Sequence, residues 1–427
     1  MKRRGRPAIF LAGQGGLLAL CLFFALAAPA VALEALAVTA ESALLMDWLT
    51  GDVLYAKDAD SPRPIASTTK IMTALIALER GKLDDRVVVP APAVEVGEST
   101  CYLEPGETLT LEDLLKAMLL QSANDAAAAI AVHVDGTLPA FAARMNKRAA
   151  ELGATHTHFV NPHGLHDPNH YSSARDLALI TREAMRHPVF RRLVATKETT
   201  IPWPGKPWDR ELWNHNRLLW RADFVDGVKT GWVRASGHCL VASGTQRGWR
   251  LISVVLNSED QWQDSLNLLT YGFTNYELKR YLARGQVAGR ARVSWGRTAT
   301  VPALAADDLA AVVPRGATDP HEVRVRLTHP CAPLERGDRV GVATLTNGGH
   351  PLGEVQLLAA APVGRSVVNW LWLGLKWAAG VGLLAVMLAA TFRQVRRYAK
   401  AAKSARRRRR SLPAPERGAD PPGPSDG

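Results

Sequence analysis

The chain has 427 residues, of which 47% are hydrophobic and 22% are charged, and this composition excludes a wholly disordered or fibrous protein. Its net charge of +12 comes from the two ends, because four basic residues lie within positions 2–6 and ten within positions 393–410, residues 411–427 carry a net charge of −2, and residues 7–392 carry no net charge. A basic nucleic-acid-binding face is therefore not expected on the folded part.

The first 32 residues have the pattern of a secretory signal peptide. Basic residues precede an apolar run at positions 17–28, and Ala30-Val31-Ala32 offers small residues for cleavage. An uncleaved membrane anchor is the alternative interpretation. The four cysteines of the chain have no spacing that indicates a disulfide framework or a metal site.

Residues 35–283 alternate helical and strand-like patterns, which predicts an α/β domain. Two strands joined by a Thr-Gly-Asp turn are expected within residues 42–55. Residues 71–78 are apolar on every side of a helix, as a buried helix requires. The later predicted elements are helices in residues 111–120 and 126–134 and adjacent buried strands in residues 239–243 and 251–256.

Ser67 and Lys70 form the first candidate catalytic pair, in Ser67-Thr68-Thr69-Lys70 at the start of the predicted buried helix. A serine at a helix N-terminus faces free backbone N–H groups, which can hold the oxyanion of a tetrahedral intermediate. Lys70 lies on the same helical face and can take the serine proton if burial or a second cation keeps the amine neutral. The alternative is a capping serine followed by a solvated lysine.

Ser122-Ala123-Asn124 is the second candidate, at a junction between two apolar helical runs. The hydroxyl can relay a proton, and the amide can hold a substrate carbonyl. The alternative is a cap for the following helix, assisted by Asp125. Because Ser265-Leu266-Asn267 has the same pattern, this motif alone is not specific.

Lys229-Thr230-Gly231 is the third candidate and is expected on a short edge strand. Lys229 supplies a fixed cation for a substrate carboxylate, and the Thr230 hydroxyl adds a hydrogen bond. Gly231 lets a substrate backbone approach closely. Taken alone, Lys229 is more often an ordinary lysine at the end of a strand.

The three motifs occur in the order S-x-x-K, S-x-N and K-T-G, separated by 55 and 107 residues. Penicillin-binding proteins and class A β-lactamases have their motifs in this order. Residues 106–115, 161–176 and 268–273 are similar to segments of low-molecular-weight penicillin-binding proteins that are D-alanyl-D-alanine carboxypeptidases. The resemblance covers about residues 35–362.

This resemblance implies a serine peptidase that removes the terminal D-Ala from the peptidoglycan pentapeptide and is acylated by β-lactam antibiotics. Ser67 is then the acylated nucleophile and Lys70 its base, and Ser122 and Asn124 flank the cleft. The family uses no cofactor, so none is expected.

The resemblance also assigns the substrate-binding strand. Lys229 and Thr230 bind the terminal carboxylate, Gly231 lies beside the substrate, and the backbone N–H groups of Ser67 and Trp232 form the oxyanion hole. Trp232 is bulkier than the residue common at this position in relatives, and we expect it to alter the wall of the cleft.

Several alternatives remain open at this point. Within enzymes they are a DD-endopeptidase and a weak β-lactamase. Slow penicillin turnover is expected, because the chain has no Glu-Pro-x-Leu-Asn stretch to supply the deacylation base of class A enzymes. A wall-binding membrane scaffold without activity is the non-enzyme alternative.

A metal peptidase is a further alternative, since five histidines lie within positions 156–170. Proline and glycine interrupt this segment, and no glutamate adjoins the histidines as a base. No metal site is therefore expected.

Residues 284–362 contain short β-type runs at 291–293, 323–327, 340–345 and 354–358, which predict a small β-sandwich acting as a spacer. Residues 367–392 are almost wholly apolar and predict a transmembrane helix. An amphipathic helix lying on the membrane is the alternative. The basic residues that follow favour a cytoplasmic tail at residues 393–427, basic and then disordered, near anionic lipid. The catalytic domain would then lie outside the cytoplasm, at the bacterial cytoplasmic membrane.

Overall fold

The computed structural model describes residues 36–410, so the predicted signal peptide and the predicted disordered end of the tail lie outside the described residues. The described chain forms two compact units. The first contains residues 36–46, Val53–Thr245 and Leu251–Gly272, and the second contains Asp47–Asp52, Gln246–Arg250 and the described residues from Phe273 onward.

The first unit alternates strands and helices, which confirms the predicted α/β class. Its strands are β1 (Ser42–Asp47), β2 (Val53–Lys57), β3 (Arg86–Val88), β4 (Thr108–Thr110), β5 (Glu198–Ile201), β6 (Arg210–Trp213), β7 (Val225–Val233), β8 (Gly237–Gln246) and β9 (Trp249–Ser258). Its helices are α1 (Lys70–Arg80), α2 (Ala91–Val94), α3 (Leu111–Leu120), α4 (Asn124–Asp135), α5 (Leu138–Glu151), α6 (Ala174–Ala184), α7 (Pro188–Ala195), α8 (Leu218–Arg221) and α9 (Gln261–Asn275).

The main sheet of this unit has five strands in the order β2-β1-β9-β8-β7. Strand β7 therefore lies at the edge and pairs antiparallel with β8, with Lys229 opposite Val241. Helix α1 contacts α4 and α6, and its residues from Lys70 to Ala77 are all buried. This burial explains why the α1 sequence is apolar on every side.

The second unit is an all-β domain followed by one long helix. Its strands are β10 (Tyr276–Leu282), β11 (Val287–Arg292), β12 (Thr300–Ala305), β13 (Leu309–Pro314), β14 (His321–Leu327), β15 (Arg339–Asn347) and β16 (His350–Ala359). Five of them form a sheet in the order β11-β12-β16-β15-β14, and β10 pairs antiparallel with β13. Side chains from both sheets share one hydrophobic core.

Strand β10 belongs to this second unit, whose longest segment starts at Phe273, whereas the sequence predicts the junction between residues 283 and 284. The β10 sequence, YELKRYL, has mostly half-buried positions rather than a clear alternation. Its place is set by the ladder that runs from Tyr276, opposite Pro314, to Leu282, opposite Leu309. Such long-range pairing leaves little local signal in a sequence.

The long helix is α10 (Val367–Arg410). Within it the segment Trp370–Arg407 is long and apolar enough to cross a membrane, and an 18-residue window of this segment has a mean hydropathy of 1.8 with none of it buried in the protein. The helix continues past residue 392, where the predicted span ends. Neither glycine nor proline interrupts residues 393–410, and Arg, Lys and Ala favour helix.

Candidate active site

Ser67 lies in a short 3-10 turn, Ala66–Thr69, that leads directly into α1. Within this turn the Thr68 hydroxyl donates to Ile65 O over 2.7 Å, and the Thr69 hydroxyl donates to Ala66 O over 2.7 Å. These bonds fix the turn and occupy the threonine hydroxyls. Ser67 Oγ is thereby the hydroxyl of this turn that faces the cleft.

Lys70 is fully buried, and its amine is surrounded by oxygen acceptors. Its Nζ lies 2.9 Å from Ser67 Oγ, 2.6 Å from Asn124 Oδ1 and 2.6 Å from His163 O. A neutral amine has two hydrogens and one lone pair. When the two hydrogens go to Asn124 Oδ1 and His163 O, the lone pair points to the Ser67 hydroxyl, which is the arrangement that a base needs.

Electrostatics favour that neutral form. Burial lowers the pKa of Lys70 well below its ordinary value, and the positive charge of Lys229 lowers the pKa further. Burial also lowers the pKa of Lys229, to about 7. A positive charge on Lys229 therefore favours the neutral form of Lys70.

Ser122 and Asn124 stand on the other side of Ser67, between α3 and α4. Ser122 is nearly buried and has a φ of +64°, in the left-handed region that a serine rarely adopts. Asn124 begins α4, and its Nδ2 donates to Gly97 O over 2.9 Å while its Oδ1 accepts from Lys70. The second Nδ2 hydrogen remains for a ligand carbonyl.

Strand β7 brings Lys229, Thr230, Gly231 and Trp232 to the opposite wall. Lys229 Nζ donates to Thr230 O over 3.0 Å. A β-carbon placed on Gly231 would lie only 3.0 Å from Ser67 N and 3.0 Å from Ile65 O. Glycine therefore lets the strand lie close against the serine turn without displacing its backbone. Trp232 is 60% exposed at the rim.

These elements enclose an open cleft of about 520 Å³. Six of the eight predicted site residues line it, and Thr230, Gly231 and Trp232 do so from one strand. The predicted residues at the cleft surface are Ser67, Ser122, Asn124, Thr230, Gly231 and Trp232, and the buried amines of Lys70 and Lys229 lie directly behind them.

A loop that precedes α6 supports the serine turn, and the motifs did not indicate it. His163 O accepts from Lys70, and Gly164 packs so closely that a β-carbon would lie 2.0 Å from Ala66 O. His170 Nε2 lies 2.8 Å from Thr69 Oγ1, and its Nδ1 accepts from Val160 N. Burial lowers the pKa of His170 to about 4, so the ring is neutral and its Nε2–H donates to Thr69.

The histidine-rich loop thus takes part in hydrogen bonds around the serine. Among residues 36–410, no group of three or more His, Cys, Asp or Glu side chains is placed to hold a metal ion. The signal for the role of this loop was weak, because its main contact with Lys70 is through a backbone carbonyl, for which residue type carries no information.

Comparisons with known proteins agree with this arrangement. Residues 29–260 match a protein family described as D-alanyl-D-alanine carboxypeptidase, and residues 276–365 match the C-terminal domain of penicillin-binding protein 5. The chain is 32% identical over 337 residues to the D-alanyl-D-alanine carboxypeptidase DacF of Bacillus subtilis, which covers 76% of this chain and 86% of the relative.

A second relative is the D-alanyl-D-alanine carboxypeptidase DacC of Escherichia coli, 35% identical over 344 residues, or 76% of this chain and 84% of the relative. Among solved structures, penicillin-binding protein 5 from Haemophilus influenzae is similar, with 32% identity and a TM-score of 0.62 over 77% of this chain and 98% of that chain. The chain therefore belongs to the D-alanyl-D-alanine carboxypeptidase family of serine hydrolases.

Proposed function

We propose that Ser67 attacks the carbonyl between the two terminal D-alanines of a peptidoglycan stem peptide. The hydroxyl proton passes to the neutral Lys70 amine as the Oγ–carbon bond forms. The backbone N–H groups of Ser67 and Trp232 hold the oxyanion. The 2.9 Å distance between Lys70 Nζ and Ser67 Oγ, with the other two Nζ contacts to oxygen acceptors, is the observation that carries this proposal.

The second half of the reaction releases D-alanine. The proton on Lys70 returns through the Ser122 hydroxyl to the leaving amine, and the peptide C–N bond breaks. Water then hydrolyses the ester on Ser67 and restores the hydroxyl. Lys229 and the Thr230 hydroxyl bind the terminal carboxylate of the substrate, and this negative charge keeps the remaining positive charge of the two amines on Lys229.

Release of D-alanine tests this function. The purified protein in detergent is incubated with a peptide that ends in D-Ala-D-Ala, and free D-alanine is measured by a coupled oxidase assay. We expect stoichiometric release of one D-alanine per peptide and no release from a control peptide that ends in L-Ala-D-Ala, which would free the same D-alanine if it were cleaved. A protein that binds the peptide but releases nothing would be a wall-binding scaffold instead.

The acylation step should depend on pH through the buried amines. Lys70 accepts the serine proton only when it is neutral, so the rate rises as pH rises through its pKa, which lies well below 10.5. We expect the second-order rate constant for acylation by a fluorescent penicillin to increase along a rising limb with a midpoint well below pH 10.5. A limb centred on the ordinary lysine pKa would contradict the role of burial.

We also propose that α10 anchors the chain in the cytoplasmic membrane, with the catalytic unit outside the cytoplasm and the basic residues from Arg393 onward at anionic lipid on the cytoplasmic side. The asymmetry of charge about the apolar segment supports this orientation. Because Cys331 is free and exposed on the catalytic side, the test uses a Cys331→Ser background, in which a cysteine introduced by Ser404→Cys should resist a membrane-impermeant maleimide in intact cells and react after lysis. Labelling of this introduced cysteine in intact cells would show that the tail lies outside the cytoplasm and would contradict the proposed orientation.

A further inference from the structure

The cleft contains a charged side chain that the proposed reaction does not use. Glu98 lines the cleft together with Ser67 and Asn124. The volume of about 520 Å³ lies in the range of pockets that hold drug-sized ligands and exceeds what a terminal dipeptide fills. Part of the cleft is therefore available to the residue that precedes the two D-alanines.

The backbone on both sides of Glu98 is bound to Asn124. Asn124 Nδ2 donates to Gly97 O over 2.9 Å, and Asn124 N donates to Ser99 O over 2.7 Å. The Ser99 hydroxyl adds a bond of 3.0 Å to Gln121 O. Glu98 itself has a φ of +66°. The segment is thus held against the amide that is proposed to receive a substrate carbonyl.

The loop is also fixed at its far end. The side chains of Arg210 and Glu107 form a salt bridge in which both are almost completely buried, with Nη2 and Oε2 2.8 Å apart. Arg210 Nη2 also donates to Tyr102 O over 3.0 Å, and the guanidinium lies 4.5 Å from the centre of the Trp203 ring. A loop held at both ends presents Glu98 in a defined position.

The charge at this position is unusual for the site. Among the described residues that line the cleft, Glu98 is the only acid, and no described side chain donates a hydrogen bond to its carboxylate. The cleft otherwise has cations, with Arg217 on its surface and the buried amines of Lys70 and Lys229 behind it. A carboxylate that is solvated and fixed can take a positively charged group of a ligand.

The direction of the substrate leads from Lys229 to Glu98. With the terminal carboxylate at Lys229 and the reacting carbonyl at Ser67, the chain of the substrate continues toward Asn124. A stem peptide carries a diamino acid immediately before its two D-alanines. We propose that Glu98 binds the side-chain ammonium of that residue and so selects substrates with a free amine, a role that rests on the proposed function.

The test compares two peptides that differ by one charge. Nα-acetyl-L-Lys-D-Ala-D-Ala has a free side-chain ammonium, and the Nα,Nε-diacetyl peptide has none. For an ion pair at a site open to water, we expect the wild-type protein to prefer the charged peptide about five-fold in kcat/KM at low salt. The ratio of kcat/KM for the charged peptide to that for the uncharged peptide should decrease as salt is raised. In Glu98→Gln this ratio should be about one.

The comparison uses a ratio because Glu98 also raises the pKa of Lys70, so its replacement can change both rates together. Glu95→Gln, three residues earlier and exposed outside the cleft, is the matched control and should keep the five-fold preference. A wild-type ratio of one, or an unchanged ratio in Glu98→Gln, would overturn the role of Glu98.

A binding measurement separates this inference from the proposed function. Each peptide competes with a fluorescent penicillin for the cleft, and the ratio of the two inhibition constants reports the same charge preference without requiring D-alanine release. Selective competition without any release would contradict the proposed reaction and retain the Glu98 subsite. Release with equal competition and equal kcat/KM for both peptides would retain the reaction and remove the subsite.

Discussion

Ser67→Ala is expected to abolish covalent labelling by a fluorescent penicillin and to lower D-alanine release by at least ~10⁴-fold. The substitution removes the atom that forms the acyl-enzyme, and no neighbouring group replaces it, because the hydroxyls of Thr68 and Thr69 are directed to the carbonyls of Ile65 and Ala66. Labelling is measured on denaturing gels, and release is measured with the coupled oxidase assay.

The fold should tolerate this change. Ser67 faces the cleft and alanine is smaller, so the thermal unfolding midpoint of the variant should remain close to that of the wild type. Ser61→Ala is the matched control, because Ser61 lies in the preceding loop, where its hydroxyl donates to Asp58, and it should keep full labelling. Equal labelling of Ser67→Ala and wild type would exclude Ser67 as the nucleophile.

Lys70→Arg should lower the acylation rate constant by ~10³-fold or more, within the range that general bases contribute. A guanidinium stays protonated at every accessible pH and cannot accept the serine proton. The variant should also lose the rising limb of the pH profile, since that limb reports deprotonation of the Lys70 amine. The rate constants are measured from pH 5 to pH 10 by labelling with the fluorescent penicillin for timed intervals, after which the reaction is quenched.

An arginine is larger than the fully buried lysine that it replaces, so Lys70→Arg could be slow because it misfolds. A second variant separates the loss of the base from misfolding. Lys70→Met keeps a similar length, carries no charge and also lacks a proton acceptor, so it should be equally slow. Lys116→Arg, at a partly exposed lysine paired with Asp113, is the control and should acylate normally. Rapid acylation by Lys70→Met would assign the base to another group.

The sequence alone predicts those parts of the site whose residues are close together along the chain. Ser67 and Lys70 are three residues apart, so helical geometry alone predicts that they lie on one face. The order and identity of the three motifs then indicated a single cleft through family resemblance. Convergence of Lys229 with Lys70 depends instead on the edge position of β7 beside the serine turn, a tertiary arrangement that spacing along the chain does not encode.

The contributions of the backbone were not predictable in this way. His163 acts on Lys70 through its carbonyl oxygen, and Gly97 and Ser99 bind Asn124 through theirs. Any residue supplies such a carbonyl, so residue type gives no signal. Glu98 is a different case: its side chain carries chemistry, but only the three-dimensional path of its loop brings it to the cleft.

Two strands of the second unit were also not predicted. Strand β12 contains Pro302 in its middle, and β13 is short, with two alanines. Proline and alanine both weaken a sequence signal for strands. In the structure β12 pairs with β11 and β16, and alternate residues of β12 and β13 enter the shared core.

The most direct test of the central claim, a covalent intermediate on Ser67, is mass spectrometry of the penicillin-treated protein. The intact mass should increase by one penicillin. Trypsin should yield the peptide of residues 58–70, which contains both Ser61 and Ser67, and fragmentation should locate the added mass on Ser67. An adduct on any other residue, such as Ser122, or the absence of an adduct, would contradict the account.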